Sequence, residues 1–244
     1  MFVPALFLQG QGPGKGKGKG GKATGPPAPS VPHDPHDLNG IWRRSGGVLT
    51  MSSDTPPMTP WGKARFDAAK PVYGPRAVPG GLGNDPMSTC DPLGMPRNIF
   101  LEVSIYPMEL LQTPNRVIQF FEWAHSYRTI WIDGRPLPKD PQPTWLGYSV
   151  GTWEGNVLKV DTIGFNDRGW IDTGMGHPQT EALHVIERFR RTDFGHMEIG
   201  ITIDDPKAYT KPWTASMKAH ILPDTELLEM TCENSKGLEH LVGR

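Results

Sequence analysis

Cysteine is almost absent from this 244-residue chain: only Cys90 and Cys232 occur. That excludes a disulfide-dense scaffold, and two cysteines so far apart are no zinc motif. Either they form one long-range bridge in an exported protein, worth about 5 kcal/mol at most in the chain-entropy model, or they are two inert buried thiols. An excess of charge of one sign is also missing. The formal net charge of -1 gives no reason to expect nucleic-acid binding. No apolar run approaches the roughly 18 residues of a membrane span. The glycine-rich stretches do not lie between a strand and a helix, so dinucleotide and phosphate-loop fingerprints are absent and no cofactor is implied. HxH and HExxH spacings are lacking, so no metal is expected, although Glu122, His125 and His184 come from different strands as barrel metal ligands often do. Ser149, in YSVGTW, has no nucleophile elbow around it.

What the chain has in quantity is turn residues, 29 glycines and 26 prolines. Many short strands joined by turns is the class this implies, and no βαβ alternation is visible. Residues 1–37 read as a flexible Gly/Pro/Lys-rich tail with little to bury. The apolar segment 2–8 within them is either a signal-peptide remnant or an ordinary terminus. Residues 38–244 form one domain. Within it, 54–98 hold one short helix, starting near Trp61-Gly62, and a long loop of the kind that serves as a lid. Strands are predicted over 99–105, 108–112, 116–124 and 127–132, and again over 183–191, 196–204, 213–221 and 227–232.

The most regular stretch is 145–165, WLGYSVGTWEGNVLKVDTIGF. Gly155-Asn156 fits a two-residue hairpin turn. Pairing outward from it places Trp153 opposite Leu158, Gly151 opposite Val160 and Ser149 opposite Thr162. Such a sheet, with polar groups beside apolar ones, suits a barrel that holds a small molecule. The fold expected is a single all-β, lipocalin-like antiparallel barrel of about eight to ten strands.

Gly40-x-Trp42, followed by Arg43-Arg44, resembles the short signature of lipocalin-like (calycin) barrels. A wider pattern resembles an uncharacterised bacterial family whose members are often exported. It comprises TPWG at 59–62, CDPLGMPR at 90–97, DGRPLP at 133–138, SVGTWEGNVLKVDTIGF at 149–165, LHVIERFRR at 183–191 and DDPKAYTKPW at 204–213. The resemblance covers nearly all of 38–234 and implies a periplasmic or secreted location. It carries no reaction, and it departs from the pattern at Leu137, where a histidine is expected.

The residues suited to chemistry are then read from alternation. Glu122, in an apolar wall, would have a raised pKa and serve as a general acid or base. His184 and Arg188 share one face of their strand, opposite Glu187, and would move a proton and hold an oxyanion. His125 is a further proton carrier. Arg128, Tyr148, Asp161, His177 and Arg97 are the expected substrate-binding residues, His177 in a loop that would rim the barrel mouth. The function expected is a cofactor-independent acid–base enzyme (lyase, isomerase or hydrolase) acting on a small, partly apolar molecule in the barrel. Two alternatives stand beside it. A non-catalytic carrier of a hydrophobic ligand would have a mainly apolar pocket without a carboxylate–histidine pair. An envelope or assembly protein would have a filled barrel and a large exposed apolar patch.

Overall fold

A computed structural model describes residues 31–46, 51–52, 55–99 and 106–232. Nine strands close into one barrel in sequence order. They are β1 (Gly40–Ser45), β2 (Met108–Gln112), β3 (Arg116–Phe121), β4 (Ser126–Trp131), β5 (Tyr148–Glu154), β6 (Val157–Ile163), β7 (His184–Arg191), β8 (His196–Asp204) and β9 (Trp213–Ile221). The expected class holds, with one difference: every neighbouring pair is antiparallel except β4 and β5, which run parallel. Parallel neighbours need a crossover connection, and residues 132–147, with Pro136, Pro138, Pro141 and Pro143, supply it. Among the described residues no helix is long and apolar enough to cross a membrane.

The β5–β6 hairpin adopts the register read from the sequence at all seven positions, from Tyr148 beside Ile163 to Glu154 beside Val157. Gly155 has φ +58°, a conformation glycine reaches without steric cost, and Asn156 needs none. Inward residues alternate cleanly along the strands: Val185, Glu187, Phe189 and Arg191 on β7, and Met197, Ile199, Ile201 and Ile203 on β8, are all buried. The strand predicted over 183–191 is thus present, from His184 to Arg191. Val117, Gln119 and Phe121 face in on β3, and Trp42 fills the barrel from β1, its indole N–H donating to the Leu38 carbonyl at 3.0 Å.

The expected helix is α1 (Pro60–Ala68). Thr59 caps it by accepting the Gly62 N–H at 3.1 Å, with Pro60 at its first position. A side-chain carbon at Gly62 would lie 2.1 Å from the Ala208 carbonyl oxygen, so only glycine lets α1 sit against the loop after β8.

Two predicted segments differ. Residues 227–232 are not a strand: β1 and β9 pair with each other, so neither offers an edge to a further strand. They form an irregular strap instead. The 116–124 run ends at Phe121 and enters a tight turn, with Ala124 at φ 53° and His125 at φ 46°. The run at 99–105 lies outside the described residues apart from Ile99, which is in a turn. Of the expected tail, 1–30 lies outside them as well. Its last part packs on the barrel: the His36 ring stacks on Trp153 at 4.4 Å and its Nε2 bonds the Gly155 carbonyl at 2.8 Å.

Candidate functional site

The barrel interior is filled, and its middle is polar. Arg128 donates to both Glu187 carboxylate oxygens at 2.6 and 2.8 Å, and its Nε to Gln119 Oε1 at 2.8 Å. Ser149 and Thr162, bonded to each other at 2.9 Å, lie beside the same guanidinium. These five residues form a buried belt across β3 to β7. Arg128 was expected to hold an anionic substrate; its guanidinium is held by Glu187 instead. A buried pair of this kind stands only because its hydrogen bonds are complete.

Beside this belt the wall opens. β4 and β5 pair at two positions only, Ile130 with Ser149 and Trp131 with Val150. Below them the strands part, leaving a groove of about 650 Å³. Its walls are largely aromatic and apolar, from Tyr127, Trp131, Trp145, Leu146 and Tyr148, with Ser126, Thr129 and Thr144 adding hydroxyls and Arg128 and His125 also lining it. Among the described residues no carboxylate lines it. The walls are braced from behind. The Arg135 guanidinium lies 3.7 Å from the Trp131 ring centre, bonds Asp133 at 2.6 Å and donates to the Tyr148 hydroxyl at 3.2 Å. Arg168 sits 4.8 Å from the Trp145 ring. Cation–π contacts of this kind restrict both indoles. Tyr148, expected to bind substrate, lines this groove, and the Asp133-Gly134-Arg135 turn supports it.

Comparison with protein-family models, with curated proteins and with solved structures finds no match.

Of the four residues expected to be catalytic, Glu122 and His125 line one cavity of about 450 Å³ beside Phe120 and Leu228, while His184 and Arg188 lie apart from it. Glu122 does not stand in a strand wall; at the turn after β3 it accepts the Leu228 N–H at 2.8 Å. His125 Nε2 accepts the Met230 N–H at 3.0 Å. Both side chains tie down the strap, and the Cys90–Cys232 disulfide anchors its end. The alternation argument fails for them because the chain has left the strand. His184 and Arg188 lie on the outer face of β7, where His184 bonds Asp161 at 3.0 Å and Arg188 bonds Glu154 at 2.7 Å. Asp161 also pairs with Lys159 at 2.9 Å. The face containing Glu187 is the inner one. Periodicity gives the two faces of a strand but not which of them is inside, and Val185 and Phe189 decide it here.

Arg97 and His177 are both buried in the loop-built cap outside the strands, each with its own aspartate. Arg97 is bidentate to Asp85 at 2.9 and 2.6 Å and donates to Thr173 at 3.0 Å. His177 Nδ1 bonds Asp172 Oδ2 at 2.7 Å, and the ring stacks on Phe66 of α1 at 5.2 Å. Burial pushes the Asp172 carboxyl up, but the His177 hydrogen bond and charge, with Arg97 behind, hold it below its usual value. An aspartate orienting an imidazole is the geometry of a general base. Here both side chains have no exposed surface, and the His177 Nε2 is buried between α1 and Trp213 without a hydrogen-bond partner among the described residues. The pair locks the cap onto the barrel. Sequence reasoning missed Asp172, Trp131 and Trp145. The proline-rich 132–147 connection, too long for a hairpin, was the signal for a crossover and so for a break in the wall.

Proposed function

We propose that this protein binds a small, flat, partly apolar molecule in the groove between β4 and β5, as a non-catalytic carrier. One observation carries this reading: an aromatic-walled groove of about 650 Å³ with no carboxylate in its lining. A mainly apolar pocket with a few fixed polar groups is the usual form of a small-molecule site. Acid–base catalysis is the weaker reading, because Glu122, His184 and Arg188 are engaged outside the groove and the His125 Nε2, though His125 lines it, accepts the Met230 N–H. The Cys90–Cys232 disulfide supports an exported protein in an oxidising compartment.

The test is titration with 8-anilinonaphthalene-1-sulfonate, a flat apolar probe, followed by its fluorescence. Trp145→Ala should weaken binding roughly tenfold, as loss of an aromatic anchor does, with the melting temperature almost unchanged. Equal affinity in wild type and variant, or no binding at all, would sink the proposal.

A further inference from the structure

Backbone groups in the groove show a finer pattern than its side chains. In an antiparallel pair, alternate residues direct both their N–H and C=O toward the partner strand. The Ile132 N–H donates to the Asn115 carbonyl at 2.9 Å. Two and four residues back, Ile130 and Arg128 therefore face β3. A second bond agrees. The Glu122 N–H donates to the Pro107 carbonyl at 3.2 Å, which turns Phe120 and Ile118 toward β2 and leaves Val117, Gln119 and Phe121 for β4. Their partners in β4 are Ile130, Arg128 and Ser126. Tyr127, Thr129 and Trp131 must then direct their backbone groups at β5.

β5 answers only from Ile130 onward. The N–H and C=O of Tyr127 and the N–H of Thr129 have no backbone or side-chain partner among the described residues. They lie along one strand edge, about 7 Å apart from residue to residue, and they open into the groove that these two residues line. Natural sheets block such edges with lysine, proline or a bulge. Here the free stretch carries a tyrosine and a threonine.

Given a ligand in this groove, as proposed above, we infer that the free edge of β4 reads it as a strand. The ligand is a short extended peptide or a molecule with peptide-like amides, added by β-strand pairing. The ladder groups of Tyr127 and Thr129 bond its main chain. Trp131, Trp145 and Tyr148 take apolar or aromatic side groups at alternate positions, the division of labour typical of strand addition.

Three probes on the full-length protein test this: acetyl-Tyr-Val-Tyr-Val-amide, and two analogues N-methylated at its odd or its even amides. The parent peptide should bind. One methylated analogue should lose at least tenfold in affinity while the other retains it, because only one set of amides faces β4. Thr129→Pro removes a groove-facing N–H without touching the β3 ladder, a placement sheets tolerate on an edge. It should weaken the peptide at least tenfold, and by a larger factor than it weakens the naphthalene probe. If Thr129→Pro does not fold, the methylated pair decides alone. Equal behaviour of the two analogues overturns the inference, as does a folded Thr129→Pro that keeps its peptide affinity. So does a silent peptide beside a bound naphthalene probe, and in each of these cases the groove reading survives. Absence of binding by peptide and naphthalene probe alike overturns the groove reading itself.

Discussion

β5 has two edges of very different quality. Toward β6 it pairs at seven positions around a turn made by Gly155; toward β4 it pairs at two. The first edge is built by neighbours in the chain, so a two-residue turn fixes the register. The second joins strands separated by the proline-rich 132–147 crossover, which positions them without a turn to set pairing. The regular edge is scaffold, and the incomplete edge leaves free backbone groups, aromatic walls and room for a ligand. A closed barrel has no outer edge to offer. A partly unzipped pair of strands restores one, in a defined place.

Breaking the buried belt that ties the two sides of this gap should have the largest effect. Arg128→Ala leaves Glu187 buried and unpaired, and should cost about 3–5 kcal/mol in urea unfolding. Arg128→Met combined with Glu187→Leu should be close to neutral by the same measurement. If the double variant is as unstable as the single one, the belt is not an ion pair holding β4 to β7. The cap offers a comparison away from the gap. Asp172 has its folded pKa below its unfolded one, so its contribution is present above the unfolded pKa and is lost as pH falls through the folded one. Asp172→Asn should therefore destabilise at neutral pH, by about 3 kcal/mol if the buried pair is broken outright. It should also flatten the acid limb of the stability profile, which the wild type retains. Next in size, Gly155→Val strains a left-handed position and should cost about 1–2 kcal/mol, seen as a lower melting temperature. Groove affinity should not change, because the two edges of β5 are independent. Smallest is Arg135→Ala, which removes the brace behind Trp131. The melting temperature should hardly move, while naphthalene-probe affinity falls roughly twofold to fivefold.

The sequence shows the regular edge well and the incomplete one poorly, for physical reasons. Alternation and a Gly-Asn turn fully specify β5–β6, and Trp61-Gly62 marks the start of α1 to within a residue, because both are local. Orientation is a different kind of information. The faces of β7 separate correctly into Glu187 against His184 and Arg188, yet which face is inner depends on strands distant in the chain. Glu122 and His125 fail for another reason: their strand stops at Phe121, and their partners, Leu228 and Met230, are backbone groups that no side-chain pattern reveals. The groove is least legible of all. It consists of missing pairing, and a sequence encodes that only through the proline-rich connection that prevents it.

Amide hydrogen exchange, resolved by residue, tests the central claim most directly. In the free protein, Arg128 and Ile130 should exchange slowly, bonded to β3, while Tyr127 and Thr129 should exchange rapidly although they lie in the same strand. Saturation with acetyl-Tyr-Val-Tyr-Val-amide should then protect Tyr127 and Thr129. Uniform slow exchange from Tyr127 to Ile130 without ligand would mean that the gap between β4 and β5 is closed in solution, and would contradict the account.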